Sequence, residues 1–207
     1  MNPLFTIGHS VLQLQHFLDL LLKHSVQVIA DVRSSPVSGR FPHFSKENLK
    51  SQLRTRGIQY VFLGKELGAR RKEREAYEGM VATYERIAKL NTFVDGLERI
   101  RTGAANYRVS LLCAEKDPLQ CHRTILVCRH IKADFQDRIF HILDSGELES
   151  HGSAEARLIA EEGLDLRQTD AFNTAEDVLN RAYEKRGLAI AYQEQVYDNE
   201  DLHDRIY

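Results

Sequence analysis

The densest group of chemically reactive side chains lies between residues 113 and 123. Cys113, Glu115, Cys121, His122 and Arg123 all fall within these positions. If Cys121 opens a helix, the free N–H groups and dipole of that end lower the pKa of its thiol, which makes it a nucleophile or a ligand. Glu115 is a candidate general acid or base if a dry pocket shifts its pKa. Arg123 and His122 complete the group, and a guanidinium clamps a phosphate or carboxylate through two parallel hydrogen bonds.

Each of these residues also has a purely structural interpretation. Cys121 would then cap or pack the helix, and His122 would bind a backbone carbonyl. Cys113 ends an apolar run, so packing is its expected role, and Cys128 is expected in the core. The Cys-x7-Cys-His spacing matches none of the close ligand pairs of common zinc sites, so we expect no metal. The chain contains neither the Gly-x-x-x-x-Gly-Lys phosphate loop nor the Gly-x-Gly-x-x-Gly dinucleotide motif, so we expect no cofactor.

A second polar group follows the first two apolar runs of the chain. His9 and Ser10 come after Leu-Phe-Thr-Ile-Gly, and Asp31 and Arg33 come after Val-Gln-Val-Ile-Ala. We take His9 and Asp31 as further candidates for acid–base chemistry, and Ser10 and Arg33 as candidates for binding a phosphate. A structural histidine and a salt bridge from Asp31 to an arginine are the alternatives. Ser10 is also a candidate N-cap for the helix that follows.

A basic stretch between residues 64 and 74 offers a third group. Lys65, Arg70 and Arg71 lie there among glycines and an alanine, and Phe41 and Phe44 lie in an earlier loop that contains two prolines. A basic loop beside an aromatic one suits stacking on a base while its phosphate is held. The alternative is a solvated run of charges, with the two phenylalanines packed into the core.

Alternating apolar runs and helical patterns place these groups. We predict five strands, near residues 4–7, 26–32, 58–63, 107–113 and 138–143. Helices are expected near residues 12–23, 45–56, 77–100, 121–131, 147–163 and 174–191, with Gly57 ending the second. This alternation is typical of an α/β sandwich with a mostly parallel sheet of about five strands. In such a sheet, ligands bind beyond the carboxyl ends of the strands, where all three polar groups would lie.

Composition limits the class of protein. Of the 207 residues, 43% are hydrophobic and the net charge is −2. Residues 1–74 hold 12 Lys and Arg against 5 Asp and Glu, whereas residues 75–207 hold 16 against 25. The basic half suggests an anionic, phosphate-bearing ligand, or a solvated basic face. No apolar run is long enough to span a membrane, no secretion signal is visible, and the three cysteines fit a reducing compartment, so we expect a cytoplasmic protein.

The composition shifts after residue 146. We therefore expect an α/β domain over residues 1–146 and an acidic, helical C-terminal extension over residues 147–207. Helices of this kind suit a homodimer contact, and we expect such a contact through the extension.

Taken together, several short motifs resemble one known family. They are Thr6-Ile-Gly-His-Ser10, Asp31-Val-Arg33, Pro36, Phe44, Leu67-Gly68, and Cys113-x-Glu115 followed by Cys121-His-Arg123. In this order, over about residues 4–143, they resemble the domain of unknown function 488 family. The resemblance implies a Rossmann-like fold and a role in nucleotide or nucleic-acid modification and repair. Many members carry a glycine where this chain has Ala69.

Three functions remain open at this point. The first is an enzyme that hydrolyses or transfers a group at a glycosidic or related bond of a nucleotide or nucleic-acid base. The second is a cysteine-dependent sulfurtransferase or phosphatase, although Arg123 lies too far along the chain from Cys113 for the short cradle loop of such enzymes. The third is a non-catalytic binding module for a nucleotide or nucleic acid, for which the net charge is low.

Overall fold

The computed structural model describes residues 1–169 and 174–194. Its main sheet has six strands in the order β3-β2-β6-β1-β7-β8. The strands are β1 (Leu4–Gly8), β2 (Val28–Asp31), β3 (Gln59–Phe62), β6 (Val109–Cys113), β7 (Ile139–Ile142) and β8 (Leu148–Ser150). A second, antiparallel sheet contains β4 (Tyr77–Glu78), β5 (Val81–Ala82) and β9 (Tyr192–Gln193).

Eight α-helices connect and cover these strands in the described part of the chain. They are α1 (Leu14–Lys23), α2 (Lys46–Thr55), α3 (Gly64–Leu67), α4 (Tyr84–Ile87), α5 (Asn91–Asn106), α6 (Arg129–Phe135), α7 (His151–Glu161) and α8 (Ala175–Ile190). A π-helical segment, Arg123–Cys128, runs directly into α6.

The first five strands in the sheet order are parallel, and all five occur where the apolar runs predicted them. β1 and β6 are buried along their whole length, so both of their faces are covered by helices and are mostly apolar, with Thr6 and Ser110 as the buried polar exceptions. Phe5 and Ile7 of β1 face α1 and α2, whereas Leu4 faces the opposite core with α5, α6, α7 and α8. The protein is therefore a Rossmann-like α/β sandwich with three layers.

Three predicted elements differ from the structure. The region expected as one helix over residues 77–100 begins with the β4–β5 hairpin, where Gly79 has a positive φ, and becomes a long helix only at α5. The segment expected as a helix from residue 147 begins with β8, which pairs antiparallel with β7. The predicted helix over residues 121–131 begins at Arg123 and is π-helical in its first turns.

Two predictions of helix boundaries, the end of α2 at Gly57 and an N-cap at Ser10 before α1, can be compared with the structure. Gly57 follows α2 with φ of +70°, as the predicted helix end requires. The predicted cap at Ser10 is wrong, because α1 begins at Leu14 after Gln13 and has no side-chain cap. Ser10 instead has φ of +42° and donates its backbone N–H to the carbonyl of Ala114 at 2.8 Å.

Beyond residue 146 the chain continues to build the same core. Apolar side chains of α7 and α8, among them Leu158 and Val178, lie in the core on one face of the main sheet. Strand β9 pairs with β5, which brings residues 192–193 beside the carboxyl edge of that sheet. Among residues 1–169 and 174–194, none of the helices combines the length and the apolarity needed to cross a bilayer.

Candidate active site

A cavity of about 560 Å³ opens at the carboxyl edge of β2 and β6. Its wall combines residues from five parts of the chain: Arg33, Ser34, Ser35, Val37, Ala69, Arg70, Tyr84, Cys113, Ala114, Glu115, Gln120, Cys121, His122, Ile190, Ala191, Tyr192 and Gln193. The volume is in the range of cavities that hold a small molecule. The edge of the sheet is also where the strand order predicts a ligand site.

Four chemically reactive side chains converge in this cavity. The reactive atoms of Cys113, Glu115, Cys121 and His122 all lie within 4.8 Å of one another, and we call these residues the thiol cluster. The Sγ of Cys113 lies 3.6 Å from His122 Nδ1, and the Sγ of Cys121 lies 3.9 Å from the same nitrogen. The thiol of Cys121 donates to Glu115 Oε2 at 3.0 Å. Cys113, predicted to have a packing role, is therefore part of the cluster.

The imidazole of His122 is held in one orientation from outside the cluster. Its Nε2 lies 3.0 Å from the carbonyl oxygen of Val32. A carbonyl only accepts, so Nε2 carries a proton and Nδ1 faces the two sulfurs. The structure therefore contains the hydrogen bond to a carbonyl that the structural interpretation of His122 predicted, and it leaves Nδ1 directed at the two sulfurs.

Burial and neighbouring charge act differently on the two thiols. Burial raises the pKa of Cys113 well above its ordinary value, and the neighbouring Cys121 raises it further. Burial also opposes ionisation of Cys121, but the hydrogen bond from Cys113, the guanidinium of Arg123 and His122 together lower its pKa well below the ordinary value. Glu115 is exposed as a residue, but the protein packed around its carboxyl group and the charge of Cys121 raise the pKa of that carboxyl. The pKa of His122 is raised by Cys121, against the effect of burial.

Arg123 supports the loop that carries the cluster. Its side chain is buried, with the residue only 1% exposed. It donates to the carbonyl oxygens of Glu115 at 2.7 Å and Lys116 at 3.0 Å, and to Thr6 Oγ1 at 3.3 Å. We predicted a phosphate clamp here, but the donors of this guanidinium are directed at the protein, so Arg123 is a positioning residue.

Gly8 allows the same loop to lie close to β1. A Cβ atom at this position would overlap with the carbonyl oxygen of Glu115. The absence of a side chain at Gly8 thus permits the close approach of two segments of the protein.

The pair of Asp31 and Arg33 forms a buried network behind the cavity. Arg33 donates to both carboxylate oxygens of Asp31, at 2.9 and 2.6 Å, and Tyr60 donates to the same carboxylate at 2.7 Å. The salt-bridge interpretation of Asp31 is therefore the one in the structure. Arg33 lines the cavity while paired with Asp31.

His9 belongs to this network rather than to the cavity wall. Its Nε2 lies 3.2 Å from Nη1 of Arg33, which can only donate, so Nε2 accepts and Nδ1 donates to the Ser10 carbonyl at 3.1 Å. Its ring stacks on buried Phe44, with ring centroids 4.4 Å apart. Burial and Arg33 lower the pKa of His9 to about 4, so it is a neutral, structural histidine at pH 7. Phe44 is thus a core residue, which agrees with the alternative prediction that the phenylalanines of this loop pack into the core.

The three predicted cations of the basic stretch have different positions. Arg70 is exposed and lines the cavity, with its guanidinium 5.2 Å from the ring centre of Tyr192. Lys65 is exposed on α3 and does not line the cavity. Arg71 is buried and donates to the carbonyls of Lys65 and Glu66 and to the carboxylate of Glu73, so it holds its own loop together. Of these three cations, Arg70 is therefore the one that is exposed and lines the cavity.

Sequence reasoning missed the tyrosines of the cavity. Tyr84 lies at the start of α4, in a region predicted to be one long helix, and Tyr192 lies in β9, within the segment predicted as an extension. Both line the cavity. No local signal marks either one, because their positions depend on pairing between β5 and β9. Ser10 lies outside this cavity and lines a small pocket near Lys116.

These features define the class of protein: a Rossmann-like α/β sandwich with a thiol, imidazole and carboxylate cluster at the carboxyl edge of its parallel sheet. A family model described as domain of unknown function DUF488 matches residues 13–129, more than half of the chain. The chain belongs to this family, as its motifs indicated. The matched range includes β6 and the whole thiol cluster. Searches of curated proteins and of solved structures give no match.

Proposed function

We propose that the protein is a hydrolase or transferase that acts at a glycosidic or related bond of a nucleotide or nucleic-acid base. The observation that carries this proposal is the position of Glu115, whose carboxyl group lies in a cavity of nucleotide-like size beside the two thiols and the imidazole. A general acid or base must reach the proton that it transfers, and Glu115 combines solvent exposure with a fixed hydrogen bond to Cys121.

The cavity wall supports a phosphate-bearing, aromatic substrate. Arg70 supplies an exposed guanidinium, and Tyr84 and Tyr192 supply aromatic surface in the same cavity. A guanidinium binds phosphate oxygens, and a base stacks on aromatic rings or on a guanidinium plane. A role in nucleic-acid modification or repair fits this combination, and three unbridged thiols fit a cytoplasmic, reducing environment.

Nucleoside mass spectrometry tests the proposal and identifies the substrate in the same experiment. Cellular RNA, DNA and a nucleotide pool are each incubated with the wild type, with Glu115→Gln and with Glu85→Gln. Glu85 is an exposed glutamate paired with Lys89 on α4, so its substitution is the matched control. We expect a released base or an altered nucleoside with the wild type and with Glu85→Gln, and almost none with Glu115→Gln. Equal profiles for all three proteins and for a sample without protein would contradict the proposal.

A second candidate function, a cysteine-dependent transferase or phosphatase, is favoured by one observation. The backbone N–H of Arg123 points at the Sγ of Cys121 at 3.4 Å, at the start of the π-helical segment. Such an N–H stabilises a thiolate. This candidate predicts that iodoacetamide and Cys121→Ser abolish turnover, whereas Cys128→Ala, at a buried cysteine outside the cavity, does not. Full activity of Cys121→Ser would exclude it.

A further inference from the structure

We propose that the thiol cluster binds one zinc ion through Cys113 Sγ, Cys121 Sγ and His122 Nδ1. The catalytic role given to this ion below rests on the proposed function. Glu115 is not a ligand in this site and lies beside the open fourth position. The spacing along the chain gave no indication of such a site, because seven residues separate the cysteines and the histidine directly follows the second one. The short 3₁₀ turn Pro118–Gln120 folds the intervening loop back and brings the three ligand atoms together.

The distances fit a tetrahedral ion. With Zn–S near 2.3 Å and Zn–N near 2.0–2.1 Å, neighbouring sulfur and nitrogen ligands lie roughly 3.5 Å apart around the ion. His122 Nδ1 lies 3.6 Å from one sulfur and 3.9 Å from the other. Two thiolates and one imidazole select zinc over magnesium or calcium, which prefer oxygen ligands.

The surroundings of the three atoms resemble the outer shell of a metal site. A histidine that binds a metal almost always donates its other ring N–H to a carbonyl or carboxylate, and His122 donates Nε2–H to Val32 at 3.0 Å. The backbone N–H of Arg123 points at Cys121 Sγ at 3.4 Å, which suits a thiolate ligand. The two buried thiols and the imidazole are therefore fixed by groups that do not themselves occupy the ligand positions.

The fourth side of the cluster faces the cavity. Cys113, Cys121 and His122 are buried yet contribute to the cavity wall, and Glu115 is exposed beside them. A zinc ion with three protein ligands keeps one position for water, which is the arrangement of a catalytic zinc. Glu115 is then placed to take a proton from that water.

This arrangement suits hydrolysis by an activated water, and in the substrate class proposed above the carbon that is attacked carries a nitrogen of the base as its leaving group. The oxygen of the water forms a bond to the carbon of the substrate, and one proton of the water passes to Glu115. The bond from carbon to nitrogen then breaks with its electron pair on nitrogen, and Glu115 gives that proton to the nitrogen. The sum is substrate plus water, and no oxidant or reductant enters.

Metal analysis of the untagged 207-residue chain tests the site independently of turnover. After extensive dialysis, we expect about one zinc per chain by inductively coupled plasma mass spectrometry in the wild type and in Cys128→Ala, which changes a cysteine outside the cluster. Cys113→Ser, Cys121→Ser and His122→Ala should each lose at least nine-tenths of the zinc. Glu115→Gln should keep it, because this residue is not a ligand.

A cobalt spectrum keeps the test decisive if a cysteine variant fails to fold. The wild type is stripped with a chelator and loaded with Co²⁺ alone. Thiolate-to-cobalt absorption in the near ultraviolet and the strong visible bands of a tetrahedral site are expected. Wild type that neither retains zinc nor takes up Zn²⁺ or Co²⁺ overturns the proposal, and so does loss of zinc in Glu115→Gln, which would mark a closed four-ligand site.

The zinc site and the proposed function can fail separately. Turnover that persists fully in metal-free wild type would overturn the catalytic role of the zinc and leave the enzyme intact. One zinc per chain with no change in any nucleoside or nucleotide would confirm the site and contradict the proposed substrate class.

Discussion

Replacement of Arg123 by methionine should weaken the fold and not merely the binding of a phosphate. Methionine keeps much of the length and volume of the side chain but removes every donor. The carbonyl oxygens of Glu115 and Lys116 would then lose the hydrogen bonds that they accept at 2.7 and 3.0 Å, as would Thr6 at 3.3 Å. Because the Arg123 side chain is buried and the two carbonyl contacts are partly shielded from solvent, water does not simply replace the lost donors.

The expected loss can be worked from these contacts. A hydrogen bond to a charged group contributes about 1.5–3 kcal/mol, and two of the three bonds are short. The free energy of unfolding should therefore fall by about 3–5 kcal/mol, out of the roughly 5–15 kcal/mol typical of a native protein. For a chain of this size that corresponds to a Tm lower by about 10 °C.

The assay is urea unfolding followed by far-ultraviolet circular dichroism, with thermal melts in parallel. Arg70→Met is the matched control, since this exposed guanidinium contributes one contact with the ring of Tyr192 and should change the free energy by less than about 1 kcal/mol. Unfolding of Arg123→Met within about 1 kcal/mol of the wild type would refute the positioning role of this residue. Intact stability with lost phosphate binding would instead favour the clamp that the sequence suggested.

Three other changes separate stability from binding. His151 is buried and its pKa is lowered to about 4, below an unfolded value near 6.5, so between those pH values the unfolded state holds the extra proton. His151 alone should lower stability by about 1.4 kcal/mol per pH unit from pH 6.5 toward pH 4, in addition to the contributions of His9 and His141, and urea titrations at several pH values should show a shallower slope for His151→Gln. Gly8→Ala should displace the carbonyl of Glu115 and lower turnover more than tenfold in a folded protein, and retained turnover with normal circular dichroism would contradict this. Arg70→Ala should raise the Kd for a nucleotide about tenfold without lowering Tm, whereas an unchanged Kd in calorimetry would remove Arg70 from the site.

The neutral state of His151 follows from the chain of side chains around it. Thr6 Oγ1 lies 2.8 Å from His141 Nδ1, and His141 Nε2 lies 3.2 Å from His151 Nδ1. The hydroxyl of Tyr183 lies 3.1 Å from His151 Nε2 and donates to Glu155 at 2.8 Å. Each link can be satisfied with one proton per imidazole, and burial lowers the pKa of His141 as well. Glu155 Oε1 lies 3.5 Å from His151 Nε2 and favours a second proton on that ring, but the effect of burial is larger.

The parallel strands could be predicted because their signal is local. Runs such as Val-Ser-Leu-Leu-Cys at residues 109–113 place apolar side chains on both faces, which is typical of a strand covered from both sides. The β4–β5 hairpin could not be predicted from its own residues, since Tyr77-Glu78 and Val81-Ala82 are too short to show a period of two. Their pairing is fixed by β9, more than a hundred positions away along the chain.

The candidate site divides in the same way. Glu115, Cys121 and His122 lie close in sequence, so their proximity could be predicted from the loop alone. The salt bridge of Asp31 with Arg33 is one of two interpretations that the sequence leaves open, because the two residues are close in the chain. The role of Arg123 could not be predicted, because Thr6 of β1 and the carbonyl of Glu115 are brought to it only by the fold. From sequence alone, an arginine near a candidate site can be interpreted as a ligand-binding group. Its role becomes clear only when the acceptors of its N–H groups are known from the folded structure.

The most direct test of the central claim is a comparison of kcat and KM for wild type and Glu115→Gln, on whichever nucleotide or nucleic-acid substrate the mass spectra identify. Loss of general acid–base catalysis should lower kcat by about 10²–10⁴-fold and leave KM within a fewfold of the wild type. An unchanged kcat in Glu115→Gln, or a defect confined to KM, would contradict the assignment of the chemistry to this edge of the sheet.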